Sequence, residues 1–175
     1  MIFSKIKLDD AFIIELEKIE DERGFFARSF DAKQFEELGL NPKIVQCNIS
    51  FNKNRGTIRG MHYQAHPFEE DKIVHCTKGS IFDVIVDLRT KSQTFKKWFG
   101  INLSADDYKI LYIPKGFAHG FQTLEDNTEV FYQMSEFFMP EYSRGVRWND
   151  DAFKITWPLK PTLISEKDQS YDSFD

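Results

Sequence analysis

At 175 residues the chain is long enough for one well-buried core and too short for two, so a single domain over 1–175 is expected. A net charge of −5 withholds the basic footprint that phosphate backbones demand, which argues against nucleic acid as a partner. Cys47 and Cys76 stand alone without CxxC spacing, so neither a disulfide framework nor a zinc knuckle is expected.

The N-terminal segment alternates apolar and charged residues and has no uninterrupted apolar run or cleavage site. Secretion and membrane insertion are therefore not indicated, and the cytoplasm is the default compartment. Residues 11–20 carry Ala11-Phe12-Ile13-Ile14 and then Leu16 and Ile19 among charges, which predicts a strand entering a turn at Asp21-Glu22-Arg23-Gly24. Residues 31–38 predict a short helix, with Asp31 as N-cap, Phe35 and Leu38 three apart, and Gly39 just past the end.

From Ile44 onward the segments are short, β-branched or aromatic, and punctuated by Gly56, Gly60, Gly79, Gly100, Gly116 and Gly120. With 18 phenylalanines, that pattern predicts an all-β sandwich or barrel. Over 81–88 the alternation is clearest: Phe82, Val84, Val86 and Leu88 share one face, and Asp83 and Asp87 point from the other toward a wet cavity or solvent. Residues 94–103 and 127–138 read as further strands. Pro158 and Pro161 mark an irregular C-terminal arm from about 158, whose last five or so residues are expected to be mobile.

The chemistry gathers around Arg59-Gly60-Met61-His62-Tyr63-Gln64 and Ile113-Pro114-Lys115-Gly116-Phe117-Ala118-His119-Gly120-Phe121. Arg59 and His62 are three apart, which on a regular strand sends them to opposite faces unless a bulge at Gly60 redirects one. A lone strand histidine is usually structural. Here Arg59, Lys72, His119 and Tyr132 also fall on strands or strand ends that a barrel interior would bring together.

No metal is expected. Pro114-x-Gly116-x-x-His119 resembles the second motif of cupins, but His62 and His66 are four apart, about 13 Å between α-carbons on a strand, and Glu69 and Glu70 follow Pro67 in a loop. Nucleophile elbows and phosphate-cradling glycine loops are missing from the sequence. What remains is proton transfer without a cofactor, with a base near neutrality, an acid, and cations to steady an enolate; histidine, tyrosine and lysine fill those roles.

Eight ordered blocks then carry a resemblance. They are Asp21-x-Arg23-Gly24-x-Phe26, Gln46-x-Asn48-x-Ser50, Arg59-Gly60-x-His62-x-Gln64, and Gly79-x-x-x-Asp83-Val84-x-Val86-Asp87-x-Arg89. After Ser92-x-Thr94 and Trp98 come the segment 113–121, Gly145-x-x-Trp148-x-Asp150, and Ile155-x-Trp157-Pro158 with Ser165-x-Lys167-Asp168. Over nearly its whole length the chain resembles the dTDP-4-dehydrorhamnose 3,5-epimerase family of nucleotide-sugar epimerases.

The resemblance implies a cupin-like double-stranded β-helix, or jelly roll, with a few short helices, assembled as a homodimer whose N-terminal segment reaches the partner's site. It implies His62 as base, Asp168 as the carboxylate that orients and charges it, Tyr132 as acid on the opposite face of the sugar, and Lys72 beside the carbonyl at carbon 4. Arg23, Gln46, Asn48, Arg59, His119 and Lys167 would contact the nucleotide-sugar substrate. Phe138 would stack on the base where the family commonly has tyrosine.

Arg28 stands where the family frequently has glutamate and Ser143 where it often has an acid, departures that bear on substrate choice more than on reaction type. Asp83, on a plausible interior face, rivals Asp168 as the partner of His62. Inversion at a single carbon, 3,4-ketoisomerisation and non-catalytic binding of a sugar nucleotide are the competing functions. Tyr132 separates 3,5-epimerisation from ketoisomerisation, because moving a carbonyl has less need of an acid across the ring.

Overall fold

The computed structural model describes residues 1–174 and is built around two facing, mainly antiparallel sheets. The first is ordered β1 (Ile2–Lys5), β2 (Phe12–Glu15), β10 (Ile110–Ile113), β7 (Lys72–Lys78), β12 (Thr128–Met134) and β5 (Gln46–Asn52). The second is ordered β13 (Ser143–Gly145), β6 (Thr57–Gln64), β11 (Phe117–Thr123), β8 (Ser80–Asp87) and β9 (Trp98–Ser104), with β14 (Leu163–Ile164) alongside β6 in parallel. This is the expected jelly roll. Among the described residues no helix is long and apolar enough to cross a membrane.

Both sheets bury two faces, which explains why the strands read as near-continuous apolar runs. Between the sheets, Val74, Leu111, Ile113 and Val130 meet Ile81, Ile85, Leu103 and Phe121. On the outside of the first sheet, Phe12, Ile14, Ile73 and Tyr112 pack under Phe35. That side chain comes from helix α1 (Ala32–Glu37), where the Asp31 carboxylate accepts from the Lys33 and Gln34 amides as an N-cap should. On the outside of the second sheet, Met61, Val84, Val86 and Ala118 pack under Val146 and Phe153.

Several expected strands are shorter than their apolar patterns. Residues 11–20 divide into β2 and β3 (Ile19–Asp21), and β3 pairs only with β4 (Gly24–Phe26), forming a separate two-stranded ribbon exposed at every residue. Thr94 does not begin a strand, because its hydroxyl donates to Asp87 at 2.7 Å and holds residues 94–97 in a turn before β9. After Met134 the chain leaves the sheet where the Ser135 amide bonds the Asp71 carbonyl.

Asp87 faces neither a cavity nor solvent. It is fully buried, and its carboxylate accepts from Arg89, Ser92 and Thr94. Burial pushes that carboxyl up, but these donors outweigh it and hold it below the ordinary range.

The C-terminal arm is more ordered than its prolines suggest. It contributes β14 and helix α2 (Glu166–Gln169). The expected mobile tail is docked as far as it is described: the Phe174 amide donates to Asp150 at 2.8 Å and its ring lies 5.1 Å from that of Phe153. Asp175 lies outside the described residues.

Candidate active site

The site begins with a bulge. Strand β11 sets His119 opposite His62 and Phe121 opposite Arg59, so Gly60 and Met61 on β6 face the single residue Gly120. The extra residue cancels the alternation that would separate Arg59 from His62, and both side chains line one cavity of about 450 Å³. Only glycine fits the bulge. At φ +115°, a Cβ on Gly60 would stand 2.5 Å from the Gly120 Cα and 2.7 Å from the His119 carbonyl oxygen.

Opposed sheets supply the two walls. Arg59, His62, His119 and Phe121 come from the second sheet; Lys72, Tyr132 and Met134 come from β7 and β12 of the first. Lys167 of α2 and Phe138 complete the rim, with Phe138 half exposed. Three cations and two histidines thus surround a space sized for a small ligand.

His62 Nε2 donates to Asp168 Oδ1 at 2.6 Å, and Asp168 Oδ2 accepts from the Gly60 amide at 3.1 Å. Ser165, the N-cap of α2, accepts from the Asp168 amide at 3.1 Å, so a hydrogen-bonded turn aims the carboxylate. Asp168 is 3% exposed rather than out in solvent as its polar tail suggests. Burial pushes this carboxyl up, but the His62 hydrogen bond and charge, the Gly60 amide and Ser165 more than offset it and keep it ionised. With Nε2 committed to the carboxylate, His62 Nδ1 is the nitrogen free to move a proton.

The rival carboxylate has its own histidine. Asp83 Oδ1 lies 2.7 Å from His119 Nε2, fully buried beneath it. Each histidine of the cavity therefore has a separate carboxylate. Among the described residues no three His, Cys, Asp or Glu side chains gather as metal ligands; His66 is paired instead with Glu69.

Tyr132 faces the cavity from the wall opposite His62. Desolvation raises its phenol, Arg59 draws it back, and the Glu70 charge raises it further, so the net effect keeps it protonated. Arg59 Nε donates to Asn52 at 2.6 Å, which fixes the guanidinium at the cavity edge.

Three expected substrate contacts are not among the residues that line the cavity. Gln46 accepts from the Phe138 amide at 2.5 Å and Asn48 donates to Met134 Sδ at 3.4 Å, so each bonds a lining residue, on the face of β5 that also carries the lining Ser50. Arg23 sits at the tip of the β3–β4 ribbon, 2.6 Å from Asp21, with an 89% exposed side chain. Among the described residues the ribbon pairs with no other strand, and Arg23 is not among those that line its own cavity.

One charged lining residue was not foreseen in this role. Glu70, read from sequence as one of two loop acids, lies buried in the cavity with Oε1 2.9 Å from Lys72 Nζ. The signal that could have found it is the spacing Glu70-Asp71-Lys72 leading into a strand, which sets the outer pair on one side.

Comparison with known proteins agrees with this geometry. The family model for dTDP-4-dehydrorhamnose 3,5-epimerase matches residues 5–175. The dTDP-4-dehydrorhamnose 3,5-epimerase of Shigella flexneri is 43% identical over 171 residues, 97% of this chain and 94% of that one. The crystal structure of the epimerase of that name from Elizabethkingia anophelis superposes with a TM-score of 0.97 at 41% identity, covering 99% and 96% of the two chains. A third, the Legionella pneumophila dTDP-6-deoxy-D-glucose-3,5-epimerase in complex with dTDP-4-keto-L-rhamnose, gives 0.91 at 38% identity, over 98% and 91%. With its jelly roll, carboxylate-backed histidine and facing tyrosine, the chain belongs to the dTDP-4-dehydrorhamnose 3,5-epimerase family.

Proposed function

We propose that this protein epimerises carbons 3 and 5 of a dTDP-linked 4-keto-6-deoxyhexose, converting dTDP-4-dehydro-6-deoxyglucose to dTDP-4-dehydrorhamnose without a cofactor. The observation that carries the reading is the placement of His62 and Tyr132 on opposed sheets around one cavity. A ketone at carbon 4 acidifies both neighbouring carbons. His62 takes the proton from one face, Lys72 stabilises the enolate oxygen, and Tyr132 returns a proton from the other face, which inverts the centre; proton exchange with solvent then restores both groups before the second carbon reacts.

Asp168 holds the imidazole in the tautomer that presents Nδ1 and stabilises the imidazolium once the proton has moved. Arg59, His119 and Lys167 supply donors for the substrate and its diphosphate, and the Phe138 ring offers a stacking surface for the base. The relative crystallised with dTDP-4-keto-L-rhamnose supports this class of ligand.

The working unit in this reading is a single-domain chain in a cytoplasmic homodimer. Ile19 and Phe26 are 69% and 66% exposed on the ribbon, an apolar surface suited to a second copy. In such a dimer the ribbon brings Arg23 to the partner's cavity and restores the contact absent within one chain. Proton NMR with dTDP-4-keto-6-deoxyglucose in deuterated water tests the chemistry. Deuterium enters carbons 3 and 5; incorporation at neither across a panel of nucleotide ketosugars would overturn the proposal.

A further inference from the structure

Glu70 is the one carboxylate among the described residues that line the cavity, and its side chain is 3% exposed. Oε1 is held by Lys72 at 2.9 Å, but Oε2 is buried and has no hydrogen-bond partner. A carboxylate only accepts, and a buried acceptor without a donor is costly, so an unpartnered oxygen on a side chain that lines the cavity calls for a donor from the ligand.

The group is rigidly mounted. Asp71, between Glu70 and Lys72, faces away from the cavity and accepts from Asn41 at 2.8 Å, from Tyr112 at 3.0 Å, and from Ser135 and the Lys115 amide at 3.1 Å each. Lys72 Nζ also donates to the His62 carbonyl at 3.4 Å. The unpartnered oxygen therefore belongs to a carboxylate whose other oxygen is paired with the ammonium that stabilises the enolate.

We infer that Glu70 is a substrate-holding, specificity-determining residue whose free oxygen accepts a hydrogen bond from the sugar hydroxyl next to the ketone, so that the site selects 3-hydroxy over 3-deoxy 4-ketosugars. The inference rests on the function proposed above. With Lys72 at the carbon 4 oxygen, the neighbouring positions differ: carbon 5 bears a methyl group and the ring oxygen, neither of which donates, whereas carbon 3 bears a hydroxyl. Anchoring that hydroxyl also fixes the direction of the carbon 3 hydrogen that His62 removes.

The test compares solvent deuterium exchange into dTDP-4-keto-6-deoxyglucose and its 3-deoxy counterpart, by the purified full-length chain and its Glu70→Gln, Glu70→Ala and Glu70→Asp variants. The parent favours the 3-hydroxy sugar in kcat/KM by about 10- to 100-fold, the scale of a hydrogen bond to a charged group. Glu70→Gln, with a neutral amide, and Glu70→Ala, with none, reduce that ratio to about threefold or less. Glu70→Asp keeps the charge, withdraws the oxygen by one methylene, and also lowers the ratio; it serves if the neutral variants do not fold.

A parent that does not discriminate overturns the inference. So do variants that lose equal activity on both sugars, since merely holding Lys72 in place would leave the ratio unmoved. Failure of the underlying function looks different, because the parent would then exchange into neither sugar.

Discussion

His62 and Asp168 meet at 2.6 Å across 106 residues of chain, and the same carboxylate also accepts from the Gly60 amide at the bulge that turns His62 into the cavity. One side chain thus fixes both the orientation of the imidazole and the backbone that carries it. Exchange at carbons 3 and 5 falls by about two orders of magnitude or more in Asp168→Asn, which keeps the shape and removes the charge.

The same group makes a prediction about acid. Its native pKa lies below the ordinary value of 3.8, so its contribution to stability is present above that pH and is lost as pH falls through the lower native value. Thermal melts between pH 5 and pH 2, round figures chosen to span about the usual carboxylate range, show a shallower acid decline in Asp168→Asn than in the parent.

Tyr132→Phe keeps the ring and loses the transferable proton. Turnover falls by about two to four orders of magnitude, while stability changes by about 1 kcal/mol or less. Because burial raises this phenol above 10, ultraviolet titration shows one fewer late-ionising tyrosine in the variant. Intact turnover in Tyr132→Phe, with loss in His62→Ala, would point to ketoisomerisation instead.

Gly60→Ala places a methyl group against backbone that has no room to retreat. A loss of about 3 kcal/mol is expected from the clash and the positive φ together, read by urea denaturation. Whatever folded protein remains has lost activity, since Arg59, His62 and His119 all depend on this crossing.

Arg23→Ala tests the dimer. The side chain is exposed in the single chain, so its removal leaves the melting temperature unchanged. A rise in KM of about tenfold is expected if it contacts substrate across the interface. If the proposed homodimer forms through this ribbon, Phe26→Asp halves the particle mass in light scattering; an unchanged mass would overturn that interface.

His75 carries a second pH effect. Burial pushes its imidazole below the ordinary 6.5, and its Nδ1 has no partner. The unfolded chain takes up a proton where the native state refuses it, so stability is full above pH 6.5 and declines as pH falls toward the native value. His75→Phe, against the neighbouring Phe131 ring, removes that part of the loss between about pH 7 and 5.

Much of this architecture was legible because local chemistry and tertiary packing agree. The Asp31 cap, the alternation through Val84 and Val86, and the turn at Arg23 each follow from their own few residues. Asp87 read as wet because alternation reports a face and cannot report that Arg89, Ser92 and Thr94 will satisfy a carboxylate there. The ends of β9 and β12 were overrun for a similar reason: side-chain hydrogen bonds from Thr94 and contacts at Asp71 stopped strands that hydrophobicity would continue.

The site was legible mainly through motif order. His62, Lys72, Tyr132, Asp168, Arg59, His119, Phe138 and Lys167 converge, whereas Gln46 and Asn48, on the β5 face that carries Ser50, bond Phe138 and Met134, partners that spacing does not encode. Glu70 was overlooked because a loop acid beside another acid reads as solvated, and only burial against Lys72 reveals otherwise.

The carboxylate behind His62 arrives on α2, 106 residues after its histidine on β6. In the proposed mechanism, strands β1 to β13 alone would shape the cavity yet lack the anion that sustains a protonated imidazole, so the barrel and its proton chemistry are encoded in separate stretches of chain.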